Sequence, residues 1–234
     1  MTTRSGIAWS RRSAASTSAG CPKKGLSLRR VQRKLLSTDP QRPAILRRIR
    51  AIWRHRPRGG VLVFFDVKVV AVKAYGGRRY TTARRLVLPR NQKTRGKFYL
   101  FLLYEVNQGR CRWAFFPGKG AAYVGRFLRR VRRWYSGRPV WVALDQDRPH
   151  PCKCRETRRL MRELQLHWVS LPKRSPDDNP VEAILSAIPT NLLDLSDDPE
   201  PRATQRRISA HLRGRNRRDD RWVKVHYLPN SHKP

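Results

Sequence analysis

The sequence predicts an α/β domain built on a mixed sheet with crossover helices, and three observations lead to this fold class. From residue 61 the stretches "VLVFFDVKVVAVKAY" and "KFYLFLLYEV–NQGR–CRWAFF" predict strands, the second pair joined as a hairpin. Strand and helix patterns then alternate up to residue 188, which implies parallel strands linked by crossover helices. A chain of 234 residues that is 39% hydrophobic can bury one full core.

The region before the first strand divides into two parts. Residues 1–26 are rich in Ser, Ala and Gly without any periodic pattern, so we expect them to be disordered. Residues 27–58 have helical spacing that is interrupted at Asp39 and Pro40, which predicts two short helices. Residues 59–190 then form the α/β domain.

The second half of the chain supplies the crossover helices and the last two strands. "GKGAAYVGRFLRRVRRWY" predicts an amphipathic helix with an apolar inner face and an arginine-rich outer face. "PVWVALD" and "LHWVSLP" are typical of buried strands, and "CRETRRLMRELQL" and "NPVEAILSAI" are typical of helices. Residues 191–234 pass from an acidic patch into a very basic stretch, which predicts a helical appendage with a solvated, phosphate-seeking face.

Charge is the most unusual feature of the composition. The chain carries 53 Lys and Arg against 16 Asp and Glu, a formal net charge of +37. So large an excess favours a polyanionic partner, and nucleic acid fits because binding to phosphates releases condensed counterions. A ribosome-like basic protein and an arginine-rich coding bias are the bland alternatives. No membrane span is predicted, since "VLVFF" and "FYLFLLY" are far shorter than the ~20 residues a spanning helix needs.

The four cysteines are too few and too unevenly spread for a disulfide framework, which favours a reducing compartment. The cluster "HPCKC" could contribute His150, Cys152 and Cys154 to a zinc site. A four-coordinate structural site needs a distant second pair of ligands, and the sequence offers none. A loop with incidental thiols is therefore the favoured interpretation.

Single aspartates follow apolar runs in two of the predicted strands. Asp66 follows "VLVFF" and Asp145 follows "PVWVAL". An ionised carboxylate beside a buried strand is costly unless it is paired or bound to metal. The first and fourth strands of such an order commonly lie side by side, and ligand sites lie beyond the carboxyl ends of parallel strands. We therefore expect the two aspartates within metal-bridging distance, with Glu182 delivered by a helix as the third acid.

Glu182 also has a purely structural interpretation. Asn179 is a good N-cap, Pro180 suits the first helical position, and Glu182 stands three residues past the cap. That pattern is a capping box, worth ~1 kcal/mol with no chemistry at all. The local pattern alone favours a capping role for Glu182. The two acids at the strand ends need a third ligand to hold a metal, and this favours a metal-binding role instead. Nearby Asp177 and Asp178, like Asp147, are interpreted as turn residues.

Three motifs in order resemble the DDE transposases of insertion sequences in the mariner-related branch. "VLVFFD" is similar to the family's first strand and first acid, and "VWVALDQDRPH" to the strand of its second acid. "LPKRSPDDNPVE" is similar to its Leu-Pro…Ser-Pro…Asn-Pro-x-Glu signature, which ends in the third acid, and 36 residues separate Asp145 from Glu182. The resemblance covers roughly residues 27–225, and the last motif is the specific one.

The resemblance implies an RNase H-like fold and a DNA transposase that cleaves phosphodiesters and transfers strands. Asp66, Asp145 and Glu182 would be the catalytic acids and would hold two Mg²⁺ or Mn²⁺ ions ~3.5–4 Å apart. The partner would be double-stranded DNA, bound by a homodimer at the nucleoid of a prokaryotic cell. The basic residues expected to contact DNA are Arg29, Arg30, Arg33, Lys34, Arg129, Arg130, Arg132, Arg133, Lys173 and Arg174.

The chain departs from the family at several positions. Val67 replaces a Glu, Gln146 replaces a common Asn, and Asp178 replaces an apolar residue. The family's paired helix-turn-helix units also precede its first strand, where this chain has about 60 residues; residues 27–58 would be the remnant of a truncated or rearranged DNA-binding region. The alternatives are a catalytically degenerate nucleic-acid-binding protein and an RNase H-like nuclease acting on RNA hybrids.

Overall fold

A computed structural model describes residues 37–73, 93–146, 150, 153–188, 192–193, 196–219 and 221–231. In this part of the chain the strands are β1 Val61–Val72, β2 Gly96–Glu105, β3 Arg110–Phe116, β4 Val140–Leu144 and β5 Leu166–Ser170. The helices are α1 Arg42–His55, α2 Ala121–Trp134, α3 Arg155–Glu163, α4 Pro180–Ala187 and α5 Pro201–Arg217. A short 3₁₀ turn, Pro176–Asp178, precedes α4.

The five strands form one mixed sheet in the order β3-β2-β1-β4-β5. β1, β2 and β3 are antiparallel neighbours, whereas β4 runs parallel to β1 and β5 runs parallel to β4. The predicted mixed sheet with crossover helices is confirmed, and so is the adjacency of the first and fourth strands. The two apolar runs around Asp66 form one continuous strand, because Asp66 stays in register opposite Leu102 of β2.

Helices cover both faces of the sheet. Alternate residues of β1 explain this: Val61, Val63 and Phe65 belong to one buried cluster, whereas Leu62 and Phe64 belong to the other. The first cluster includes the apolar faces of α2 and α3, and the second includes those of α1, α4 and α5. A strand buried on both sides reads as a continuous apolar run, as "VLVFF" does.

The packing of α2 against α3 follows the predicted amphipathic pattern. Val124, Phe127, Leu128 and Val131 of α2 are buried as expected. The spacing of the apolar residues also assigns Ala122 to the inner face, but Ala122 is exposed and lines a cavity between the two helices. Gly125 allows the helices to approach, since a Cβ at this position would come within 3.0 Å of Leu160 Cδ2.

Helix α5 contributes to the core as well as to the basic surface. Ile208 and Leu212 are fully buried, and Trp113 Nε1 of β3 donates to Ser209 Oγ at 3.1 Å. Arg215 is buried too and donates to the carbonyl oxygen of Gly109, at the β2–β3 turn, at 3.1 Å. The boundaries drawn at residues 26, 58 and 190 stay predictions. No helix in the described ranges combines the length and apolar character of a membrane span.

Candidate active site

Asp66 lies in the middle of β1, half-buried between the two helical layers. Its carboxylate accepts hydrogen bonds from neutral amides: Val67 N at 2.7 Å on Oδ1 and Asn179 Nδ2 at 3.1 Å on Oδ2. Burial, followed by the negative charges of Glu182 and Asp145, raises the pKa of Asp66 from its ordinary value of 3.8 to about 8. The acid is therefore held where its own charge is strongly disfavoured.

Asp145 immediately follows β4 and comes next to Asp66 through strand register. Phe64 pairs with Ala143 in the parallel β1–β4 ladder, so two further steps set Asp66 level with Asp145. Neighbouring strands lie about 4.8 Å apart. The sequence prediction that strand order would bring the two aspartates together therefore agrees with the register.

His150 holds the Asp145 carboxylate. Its ring is buried, and Nδ1 contacts Asp145 Oδ1 and lies 3.1 Å from the Asp145 carbonyl oxygen. The ring also packs 5.6 Å from that of Phe65, the residue before Asp66. The Asp145 side chain is 43% exposed, and this contact holds its carboxylate on one side at the end of β4.

Glu182 comes from the first turn of α4 and acts on Asp66. Of the two acids that repel Asp66, Glu182 has the larger effect on its pKa, and the two carboxyl groups also hydrogen-bond. The predicted N-cap is confirmed, since Asn179 Oδ1 accepts from Val181 N at 3.2 Å. The reciprocal half of a capping box is missing: the Asn179 N–H donates to Pro176 O at 3.0 Å instead.

Asn179 is a functional residue that the sequence reasoning treated only as a cap. The Oδ1 atom of Asn179 accepts a hydrogen bond from Val181 N, and its Nδ2 atom donates one to Asp66 Oδ2. The same side chain thus fixes the start of α4 and the orientation of Asp66. A sequence signal was present in the Asn-Pro pair, but it did not reveal a partner 113 residues away.

Asp178 lies in the 3₁₀ turn, as predicted, but its side chain also has partners that the interpretation as a turn residue did not include. Its side chain is fully buried, and both oxygens are bound at 2.8 Å by Arg42 Nε and Nη2. His226 Nε2 lies 3.3 Å from Asp178 Oδ1, and the Tyr227 hydroxyl donates to the Asp178 carbonyl at 2.7 Å. An apolar residue here could not join α1 and the C-terminal segment to this turn.

Two further positions near the site also have structural partners. Gln146 Nε2 donates to Leu171 O at 3.0 Å and ties the loop after β4 to the loop after β5. The Cys154 thiol donates to Glu156 Oε2 at 3.0 Å. Cys152 and Asp147 lie outside the described residues. Within the described ranges no three His, Cys, Asp or Glu side chains are gathered closely enough to form a ready metal cage.

The basic residues expected to contact DNA fall in different places. Arg29, Arg30, Arg33 and Lys34 lie outside the described residues. Arg129, Arg130 and Arg133 are exposed on α2, whereas the half-buried Arg132 donates to the carbonyl oxygens of Tyr135 and Arg138. Lys173 and Arg174 are exposed beside β5, and they line a cavity together with Asp39 and Gln146. Among the described basic residues, these last two share a cavity with Gln146, the residue that follows Asp145.

The fold is that of an RNase H-like domain, with an acid on its first strand, an acid after its fourth strand and an acid on a following helix. The solved structures that it is similar to include those of the Mos1 mariner transposase. Against the crystal structure of the Mos1 catalytic domain the TM-score is 0.59 at 16% identity, covering 86% of this chain and 94% of that one.

Mos1 complexes give similar values. For the pre-cleavage Mos1 transpososome the TM-score is 0.65 at 15% identity, covering 88% of this chain and 65% of that one. For the Mos1 paired-end complex with the left transposon end the corresponding values are 0.64, 15%, 87% and 64%. This chain thus spans about two thirds of the length of the transposase in those complexes. No family model and no curated protein sequence matches the chain.

Proposed function

We propose that this chain is a DDE-type transposase that cleaves the phosphodiester backbone of double-stranded DNA and transfers the cut strand, with Asp66, Asp145 and Glu182 as its catalytic acids. The observation that carries the proposal is the mutual repulsion of these acids. In a chain with a net charge of +37, the donors Val67 N and Asn179 Nδ2 that bind the Asp66 carboxylate are neutral amides, and the charges of two other carboxyl groups act on it. Such repulsion is costly unless a cation relieves it.

The donor set suits Mg²⁺ or Mn²⁺. Carboxylate oxygens are the ligands that these hard cations prefer, and the Mos1 structures include forms with Mn and with Mg. Asp66, Asp145 and Glu182 would hold the ions. Bound there, two divalent ions would supply Lewis-acid stabilisation of the phosphodiester and a nucleophile at neutral pH.

The surrounding residues position these acids and the DNA. Asn179 orients Asp66, and His150 orients Asp145. Lys173 and Arg174, which are exposed and share a cavity with Gln146, would bind the DNA phosphates on either side of the cleaved bond. The exposed arginines of α2 would extend this contact with DNA. A homodimer would bring two DNA ends together.

A plasmid-nicking assay tests the proposal. The wild-type chain is expected to convert supercoiled DNA to nicked circles with Mg²⁺ or Mn²⁺ and not with EDTA. Asp66→Asn, Asp145→Asn and Glu182→Gln should each abolish nicking and leave DNA binding nearly intact, because each removes a metal-binding charge and keeps side-chain volume. Full nicking by Glu182→Gln would return Glu182 to a capping role.

Thermal unfolding gives a readout that does not depend on activity. Divalent ions at about 100 times their dissociation constant should stabilise the wild type by about 2.7 kcal/mol and should leave Asp66→Asn unchanged. DNA binding without nicking and without this stabilisation would favour a catalytically degenerate binding protein. Cleavage restricted to RNA–DNA hybrids would favour the RNase H-like alternative.

A further inference from the structure

A second basic site lies on the edge of the sheet opposite to the three acids. A cavity of about 790 Å³ opens where β4 and β5 begin, beside Pro139 and Leu166, whereas Asp145 follows the other end of β4. A five-residue strand is about 17 Å long at ~3.3 Å per residue. The cavity is therefore too far from the acids to hold the phosphodiester that they would cleave.

Three arginines from three different elements converge on this cavity. Arg132 comes from the end of α2, Arg138 from the turn before β4, and Arg162 from the end of α3. Neither Asp nor Glu occurs among the residues that line it, and within the described ranges no carboxylate forms an ion pair with any of the three arginines. Their positive charges are therefore uncompensated.

Two of the arginines are held in place by neutral groups. Arg132 Nη2 donates to the carbonyl oxygens of Tyr135 and, at 2.8 Å, of Arg138, while Arg138 Nε donates to Gly59 O at 2.8 Å. Carbonyl acceptors orient a guanidinium without cancelling its charge. Arg132 also covers the partial negative charge that the carboxyl end of α2 would otherwise present to the cavity.

The neighbouring cavity between α2 and α3 shows that this arrangement is specific. That cavity, of about 500 Å³, is lined by Arg129 and Arg159 but also by Glu156 and Glu163. Arg159 Nε pairs with Glu163 Oε1 at 2.8 Å, so its charge is balanced locally. The arginines of α2 and α3 at the 500 Å³ cavity therefore have glutamates beside them, whereas no Asp or Glu lines the 790 Å³ cavity.

We propose that the arginine cavity is a second nucleic-acid contact, which binds phosphodiester groups of duplex DNA independently of the three acids. A volume of 790 Å³ lies within the range of ligand cavities and exceeds what one phosphate fills. Gln165 and the exposed His167 add hydrogen-bonding groups at the rim. The proposal depends on the proposed function only for the identity of the polyanion; the site would add affinity and no chemistry.

Arg162→Ala and Arg159→Ala form a matched pair for the test. Both residues are exposed on α3, and both substitutions remove one positive charge, but only Arg162 lines the arginine cavity. Fluorescence anisotropy with a labelled duplex should give an affinity at least about threefold lower for Arg162→Ala than for Arg159→Ala at low salt. The slope of log K against log salt should also be smaller by about 1 for Arg162→Ala.

Equal affinities and salt slopes for the two variants would overturn the proposal. A site for free phosphate would have the same arginine chemistry, so inorganic phosphate is tested as well, at constant ionic strength. Thermal stabilisation by phosphate that Arg162→Ala abolishes, without any effect of this substitution on DNA affinity, would also overturn it in favour of a free-anion site. Plasmid nicking separates the two proposals: a loss of DNA affinity confined to Arg162→Ala supports this site whether or not the wild type nicks DNA.

Discussion

Asp66 retains its proton to a pH well above the ordinary pKa of an aspartic acid, because β1 and α4 place it in a buried position beside other acids. Burial opposes its ionisation most strongly, and the charges of Glu182 and Asp145 oppose it as well. The amides of Val67 and Asn179 only partly offset these effects. Without a cation the ionised site is therefore a source of instability in the fold.

The metal-free protein should lose stability between pH 4 and pH 8. The unfolded chain releases the Asp66 proton near pH 3.8, whereas the folded chain keeps it to about pH 8. The stabilisation linked to that proton is complete below pH 4 and is lost as the pH rises towards 8, by at most about 1.4 kcal/mol per pH unit. Urea unfolding in EDTA measures this slope.

Asp66→Asn is the control for the pH dependence. The asparagine has no proton to lose, so the variant should become more stable than the wild type as the pH rises. Parallel stability curves for the two proteins from pH 4 to pH 8 would contradict the assigned environment of Asp66.

Among the structural elements, the 3₁₀ turn before α4 connects distant parts of the chain. Asp178 receives Arg42 from α1 and His226 from the C-terminal segment, and Asn179 reaches Asp66 on β1. The first turn of α4 then carries Glu182. Three distant parts of the chain therefore meet at one turn, and the geometry of the acids depends on all of them.

Breaking the Arg42–Asp178 pair should be costly. Arg42→Met leaves a fully buried carboxylate without its bidentate partner and should lower the free energy of unfolding by about 3 kcal/mol, the low end of the range because the guanidinium is partly exposed. Arg42→Met combined with Asp178→Leu should recover much of this loss. Urea unfolding of the single and double variants measures the coupling.

An exposed pair provides the comparison. Arg159 and Glu163 have side chains that are 78% and 53% exposed, so Arg159→Ala should cost only about 0.5 kcal/mol or less. A similarly small cost for Arg42→Met would show that the Asp178 pair does not hold the turn.

The elements of this fold were predictable where the pattern is local. The apolar runs of β1 and β4 and the amphipathic face of α2 predicted strands, a helix and the adjacency of Asp66 and Asp145. The contacts of Asp178 and Asn179 were not predictable, because their partners lie 136 and 113 residues away. The chain has 53 Lys and Arg residues, and nothing in the sequence distinguishes Arg42 from the rest.

Over the whole molecule, positive charge is spread across both edges of the sheet. Lys173 and Arg174 follow β5 and share a cavity with Gln146, whereas Arg132, Arg138 and Arg162 line the cavity where β4 and β5 begin. The affinity for duplex DNA should therefore fall steeply with salt and depend little on base sequence, since phosphate contacts dominate. Fluorescence anisotropy at increasing salt, with one duplex and with a scrambled duplex, measures both dependences. An affinity that does not change with salt, or that differs strongly between the two duplexes, would contradict the prediction.

The connections of Asp178 also set limits on how the protein can be divided. Arg42 stands at the start of α1, and the contacts of Tyr227 and His226 come from beyond α5. A fragment cut to the sheet and its crossover helices would keep all three acids in its sequence and lose both supports of the turn before Glu182. The smallest piece of this chain with an intact acid site therefore runs from about residue 42 to about residue 227.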